Sequence, residues 1–302
     1  MKVLFAVDGS ESSFDAVAQV GQLLNPQRDE PILFCAPPDS SVLPETANPA
    51  VLDRVNQGLV DAIFGEARQK LPAALQANAH TIVGNSDARH GIVTTATDVG
   101  ADLIVLGARG LGAFERLLLG SVSRTVVNTA RVPVWVARAG AKNLAGGVHA
   151  LLACESPEQS ESLAKPLGQL SWPPSSVCHV LTVIQSMFAG KVPDWLQKQA
   201  RSPDVEAMVQ AWAREHDAEI ASTRAKLIEF TQKLPSAFAK YEPEVSEGEP
   251  AATILAKTVR EKIDVIVVGG CHKSWLSSTL LGSTSDAVLS HAPCSVLIVP
   301  KQ

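Results

Sequence analysis

Short apolar runs and amphipathic stretches alternate along the chain. Lys2–Val7 and Ile32–Ala36 are runs containing β-branched residues, the pattern of strands buried on both faces of a parallel sheet. Between them Val17, Val20, Leu23 and Leu24 fall at helical spacing, and from Asn48 to Leu71 the positions Val51, Val55, Leu59, Ile63 and Ala67 predict an amphipathic helix. The same reading predicts a strand at His80–Val83, a helix at Ile92–Val99, a strand at Leu103–Leu106, a helix opening over Ser121–Asn128 and a strand at Val132–Ala137. Such alternation builds a parallel sheet covered by helices on both faces, with right-handed crossovers.

The rest of the chain repeats this order. Strands are expected at His149–Ala153, Val177–Val183, near Glu242–Val245, Val265–Val268 and Ser295–Val299, and Ser156-Pro157-x-Gln159 has the form of a capped helix start. The repeat is plainest in "ADLIVLGARGLGAFERLLLGSVS" (101–123) and "IDVIVVGGCHKSWLSSTLLGSTS" (263–285). Each strand carries an acidic residue, Asp102 or Asp264, and runs into a glycine. The offset is a constant 162 residues, Gly107 to Gly269 and Gly120 to Gly282. A fixed period means one fold repeated, and 302 residues hold two domains of ordinary size. The expected class is α/β, with two tandem doubly wound domains, each a five-stranded parallel sheet flanked by helices. The domains are expected at 1–139 and 148–302, joined by a small, polar linker at 140–147. The segment 186–235, with Trp195 and Trp212, exceeds its counterpart and reads as an extended helical excursion.

Composition narrows the functions. With 46% hydrophobic and 19% charged residues the chain is globular in type rather than disordered. A net charge of −5 gives no bulk attraction to nucleic acid or anionic lipid, so an anionic ligand has to be held by local geometry. Cys35, Cys154, Cys178, Cys271 and Cys294 are scattered without a CxxC pair, which reads as buried thiols in a reducing compartment. Asp8 interrupts the first apolar run before a signal segment forms, and no run reaches membrane-spanning length. The expected location is the cytoplasm. His90, His149, His179 and His291 show no metal spacing, and His216-Asp217 lies in a charged stretch that reads as a solvated helix face.

Gly107-x2-Gly110-x9-Gly120-Ser121 follows the fourth strand and opens a helix. Ligands of open α/β sheets bind beyond the carboxyl ends of the strands, where strand order reverses. Glycines there let backbone approach a phosphate, and the N–H groups of Gly120, Ser121 and Val122 are expected to face an anion. Ser121 and Ser123 add hydroxyls and Arg109 adds charge. Asp8-Gly9-Ser10 ends the neighbouring first strand, where a carboxylate can take ribose hydroxyls, hold a metal beside phosphates, or cap the first helix. The two loops together favour a mononucleotide.

These motifs resemble those of the universal stress protein family, over both domains nearly end to end. The carriers are "VDGS" after strand one, G-x2-G-x9-G-S after strand four and the turn "GNSDA" at 84–88. The resemblance implies ATP, with or without Mg2+, held by Asp8 and the 107–122 loop, with strand-two backbone near Cys35 and Ala36 touching adenine. It also implies a stress-response role, with at most slow hydrolysis or autophosphorylation on Ser121 or Ser123. In the second copy Cys154 is read at the place of Asp8, Glu155 at that of Gly9 and His272 at that of Gly110. A non-Gly residue held left-handed costs about 1–2 kcal/mol, and a lost charged hydrogen bond about 1.5–3 kcal/mol, so the second copy is expected to bind ATP poorly. Cys271 beside His272 reads as a reactive or a buried thiol.

Two other functions stay open. One is an interaction module with a vestigial nucleotide loop. The other is an adenylating or ATP-pyrophosphatase enzyme, although "DGSESS" (8–13) lacks the paired glycines of an S-G-G-x-D-S loop. The apolar edges at 132–137 and 295–299 are expected to pair with each other inside one chain, and a homodimer of two chains is left open.

Overall fold

The computed structural model describes residues 1–37, 49–84, 87–110, 119–138, 140, 143–156, 160–185, 203–270 and 281–300. The apolar runs become strands because both their faces are covered: Leu4, Phe5, Leu33, Ile104 and Val105 have no exposed surface. The first half contains β1 (Lys2–Ala6), α1 (Glu11–Gly21), β2 (Glu30–Cys35), α2 (Pro49–Lys70), the short α3 (Ala73–Gln76), β3 (His80–Val83), α4 (Ala88–Asp98), β4 (Leu103–Gly107), α5 (Ser121–Thr129) and β5 (Val134–Ala137). The second half contains β6 (His149–Cys154), α6 (Glu161–Gln169), β7 (Val177–Ile184), α7 (Pro203–Thr231), β8 (Glu244–Glu247), α8 (Pro250–Arg260), β9 (Val265–Gly269), α9 (Ser283–His291) and β10 (Ser295–Val299). The helix α7 occupies 203–231 of the excursion, whereas Trp195, Pro157 and Gln159 lie outside the described residues.

Each half is a five-stranded parallel unit, and the two form one ten-stranded sheet in the order β3-β2-β1-β4-β5-β10-β9-β6-β7-β8. Strand order reverses between β1 and β4 and again between β6 and β9. The halves meet through the antiparallel pair β5–β10, with Val136 opposite Val296, Trp135 opposite Leu297 and Val134 opposite Ile298. Both cores run through this seam. One unites Val17, Phe64 and Trp135 with Leu152, Leu227 and Leu297; the other unites Leu4, Val126 and Val136 with Ile254, Val288 and Val296.

Polar groups fix the seam. Trp135 is completely buried, and its Nε1–H donates to Gln19 Oε1 at 3.0 Å. The Ser295 hydroxyl of the other half donates to the same oxygen at 2.7 Å. Arg124 on α5 reaches across to Asp286 Oδ1 at 2.7 Å and Ser290 Oγ at 3.1 Å. Farther out, Ser171 N–H donates to Leu23 O at 2.7 Å. Leu144, inside the small polar stretch between the halves, is fully buried and anchors that stretch to the core.

Replacing Gln19 with Met leaves two buried donors without their acceptor. Each such loss costs about 1–3 kcal/mol, so the variant should lose about 2–6 kcal/mol of stability. A urea midpoint indistinguishable from that of the parent would contradict this account of the seam.

Candidate functional site

A cavity of about 440 Å³ opens at the carboxyl ends of β1 and β4, the switch point at which doubly wound sheets bind ligands. Phe34, Ala36, Ala88 and Ile92 line it on the β2 side, Asp8 stands at the end of β1, and Gly107, Arg109, Gly110, Gly120, Ser121 and Val122 line the β4 side.

The loop after β1 is folded on itself. Gly9 takes a φ of 83°, a left-handed turn that suits glycine. Asp8 Oδ1 then accepts the Ser10 N–H at 3.0 Å and the Ser10 hydroxyl at 2.6 Å. Ser10, not Asp8, caps α1. The Ser10 hydroxyl also lies 3.3 Å from Arg109 O, and the Ser12 hydroxyl donates to the same carbonyl. The start of α1 therefore clamps the loop after β4.

That clamp explains the glycines. A Cβ at Gly107 would lie 2.2 Å from Ser12 Oγ and 2.8 Å from the Ser12 carbonyl carbon. A Cβ at Gly110 would lie 2.4 Å from Asp8 Oδ2. Neither residue is among those with positive φ, which corrects the left-handed conformation considered for position 110. Both are glycine because neighbouring atoms occupy the place of a side chain. Gly84 is similar, its Cβ position lying 2.2 Å from Phe34 Cζ.

Gly120 forms the N-cap of α5. Its N–H donates to Ala108 O at 2.8 Å, so it is not the anion donor expected from the sequence. The donors of the first turn are the N–H groups of Ser121, Val122 and Ser123. No acidic residue stands in that turn, so the positive helix end is uncompensated from within α5. The buried Ser123 hydroxyl donates to Gly107 O at 2.7 Å and acts as a strut, not as a phosphate donor or phosphoryl acceptor. Ser121 is exposed.

Cys35 does not line the cavity. Its side chain joins the core on the opposite sheet face, burial pushes its thiol up to about 11, and its carbonyl accepts the Gly84 N–H at 2.9 Å. Gly9 and Ser10 support Asp8 without lining the cavity. Phe34 and Ile92 were not singled out from the sequence, although alternation along β2 puts Phe34 on the face of Ala36.

Strand register corrects the pairing of the halves. Val3 lies opposite Leu103 in the first half and Ala150 opposite Val265 in the second. Asp102 Oδ2 accepts the Lys2 N–H at 2.8 Å, and Asp264 Oδ2 accepts the His149 N–H at 2.8 Å. Lys2 thus corresponds to His149, Val7 to Cys154 and Asp8 to Glu155. A carboxylate is retained, and Cys154 occupies a core position where burial raises its thiol to about 12. A second cavity, of about 470 Å³, has Glu155, Gly269, Gly282, Ser283 and Thr284 in its wall. The strut recurs too, the Ser285 hydroxyl donating to Gly269 O at 2.7 Å.

The second half differs in its clamp and in its apolar end. Ser156 replaces the left-handed Gly9 and has no positive φ. Among the described residues a Cβ at Gly269 would meet only Leu163, at 4.0 Å. Leu181, Val183 and Pro250 take the places of Phe34, Ala36 and Ala88. Cys271, His272 and Lys273 lie outside the described residues.

The model of the universal stress protein family matches residues 1–138 and 176–300. The chain belongs to the universal stress protein family. Universal stress protein YxiE of Bacillus subtilis is 28% identical over 147 residues, covering 45% of this chain and 98% of its own length. A universal stress protein of Mycolicibacterium smegmatis is 24% identical over 237 residues, 78% of this chain and 74% of its own. The crystal structure of a universal stress protein from Archaeoglobus fulgidus shares the fold, with a TM-score of 0.58 at 20% identity over 99% of this chain and 96% of that one. The second family match begins at 176, beyond the loop after β6 where the second half departs from the first.

Elsewhere, His216 is not on a purely solvated face. Its Nε2 lies 3.0 Å from Glu247 Oε1 on β8, and that carboxylate raises the imidazole above its ordinary range. Among the described residues no group of three His, Cys, Asp or Glu side chains could hold a metal ion, and no helix is long and apolar enough to cross a membrane.

Burial raises Cys35 to about 11 and Cys154, Cys178 and Cys294 to about 12, from an ordinary value of 9.0. Between pH 9 and 11 the unfolded chain therefore releases thiol protons that the folded chain keeps, and stability falls as pH rises. Denaturant midpoints should decline over this window, and less steeply in a Cys154→Ala, Cys178→Ala double variant. Equal slopes in parent and variant would refute the assignment to these thiols.

Proposed function

We propose that the first cavity binds ATP and that the chain is a nucleotide-binding regulator of the stress response, not a dedicated enzyme. The supporting observation is the sequence of chemistries along one cavity: an aromatic and apolar end, a carboxylate in the middle, and the first-turn N–H groups of α5 with an arginine at the other end. A nucleotide has the same order. Phe34, Ala36 and Ile92 suit the flat apolar base, Asp8 suits the ribose hydroxyls, and Ser121, Val122, Ser123 and Arg109 suit the phosphates.

A magnesium ion fits this arrangement as a companion of the phosphates, because the ion typically takes one or two carboxylates and completes its shell with phosphate and water. Asp8 is the residue that would contribute, and the ion would supply charge neutralisation. In this reading residues 1–139 form the nucleotide domain, 140–147 the connector and 148–302 a domain whose cavity receives adenine nucleotide weakly. Cys35, Cys154, Cys178 and Cys294 are free thiols, which suits work in a reducing cytoplasm.

Calorimetric titration with ATP and Mg2+ tests the assignment. Asp8→Ala should weaken binding by about ten- to a hundredfold, the equivalent of a charged hydrogen bond. Gly110→Ala, which displaces Asp8, should weaken it comparably, while Glu155→Ala changes it less than about twofold. Equal sensitivity to Asp8→Ala and Glu155→Ala would place nucleotide in both halves and contradict the proposal.

A further inference from the structure

Arg138 follows β5 directly. Gly107 at the end of β4 lies opposite Ala137, and the Ala108 N–H donates to Ala137 O at 2.7 Å. Arg109 and Arg138 thus leave two adjacent strand ends, one hydrogen-bonded step apart. Trp135 and Ala137 belong to the core on the α1 side and Val136 to the core on the α5 side. Alternation along the strand turns Arg138 to the α5 side, the face that carries the first cavity.

The side chain is engaged there. Arg138 Nη2 donates to Leu289 O at 2.6 Å and lies 3.5 Å from Ser290 O. These are carbonyls of the last turn of α9, the negative end of that helix, where a cation is favourable. The same guanidinium is half-buried beside a like charge, and burial and Arg109 together press its pKa down. One cation therefore stands beside Arg109, which lines the first cavity, and holds the far end of α9, whose first turn lines the second. At the offset of 162 residues the second half carries Cys271 for Arg109 and Pro300 for Arg138. The charge pair belongs to the first half alone.

We propose that Arg138 is a specificity-determining residue that reads how many phosphates the nucleotide carries and reports it to α9. The proposal rests on the ATP reading given above. Negative charge arriving on the β4–β5 side relieves the repulsion between Arg109 and Arg138. It also competes with the Leu289 and Ser290 carbonyls for the guanidinium. A triphosphate brings that charge to the strand ends and a monophosphate brings much less. The ligand shifts Arg138 only through this difference in interaction, so the effect scales with phosphate number.

The test is calorimetric titration of the full chain with ATP and with AMP, for the parent, Arg138→Gln and Arg138→Lys, with amide exchange followed over 283–291. The ratio of the two affinities is the readout, because a general loss of folding does not change it. Arg138→Gln should lower the ATP affinity about tenfold and leave AMP within about twofold, with Arg138→Lys in between. ATP, but not AMP, should speed exchange in the last turn of α9 in the parent and not in Arg138→Gln. An unchanged ATP-to-AMP ratio, or α9 exchange indifferent to ATP in the parent, overturns the role of Arg138 and leaves the nucleotide site standing. A parent that binds neither nucleotide overturns both.

Discussion

Everything in this molecule is arranged around the antiparallel pairing of β5 with β10. Two parallel five-stranded units would each expose an apolar edge, and an exposed edge recruits further chains. Here each edge closes the other, and the helical layers on both faces continue without a break. Pseudo-equivalent residues meet at this seam. Trp135 faces Leu297, which stands at its own position in the repeat, and Arg124 pairs with its equivalent Asp286. Identical copies would set tryptophan against tryptophan and arginine against arginine. Gln19 completes the seam from one side only, since its equivalent is Pro166 in α6.

The seam also explains how one fold holds two unlike cavities. Both cavities keep a glycine at the strand end, a serine strut from the helix to that glycine, and a carboxylate after the first strand. They differ in what presses on the loop. In the first half Ser12 at the start of α1 occupies the place of a side chain at Gly107, and the Asp8 carboxylate occupies it at Gly110. In the second half, among the described residues, Leu163 alone comes near the corresponding place at Gly269. A tight loop holds its donors in place before a ligand arrives, and preorganisation of this kind raises affinity without new contacts.

Much of this was legible in the sequence, for identifiable reasons. Buried parallel strands are apolar on both faces, so the central strands appear as short apolar runs, whereas the outer β3 and β8 carry His80, Glu244, Ser246 and Glu247. The glycine pattern marked the cavity-lining loop after β4 because close approach of Ser12 and Asp8 tolerates little else. Finer features were not legible because they depend on register. "VDGS" and "ACES" both end an apolar run, and only the hydrogen bonds from Lys2 to Asp102 and from His149 to Asp264 show that Asp8 matches Glu155, one residue beyond Cys154. The capture of the Gly120 N–H by Ala108 and of the Ser123 hydroxyl by Gly107 are tertiary contacts without local signatures. The Cys35 side chain, between the cavity-lining Phe34 and Ala36, turns to the opposite core by the two-residue period of the strand, which leaves only its backbone for the contact expected there.

The central claim is that one of two similar cavities in this chain holds the nucleotide. Native mass spectrometry of the full chain at micromolar ATP with magnesium addresses it most directly. The account predicts a single ATP per chain at saturation. Two per chain would show that the second cavity suffices as well, and none would show that the clamped loop of the first half serves something other than a nucleotide.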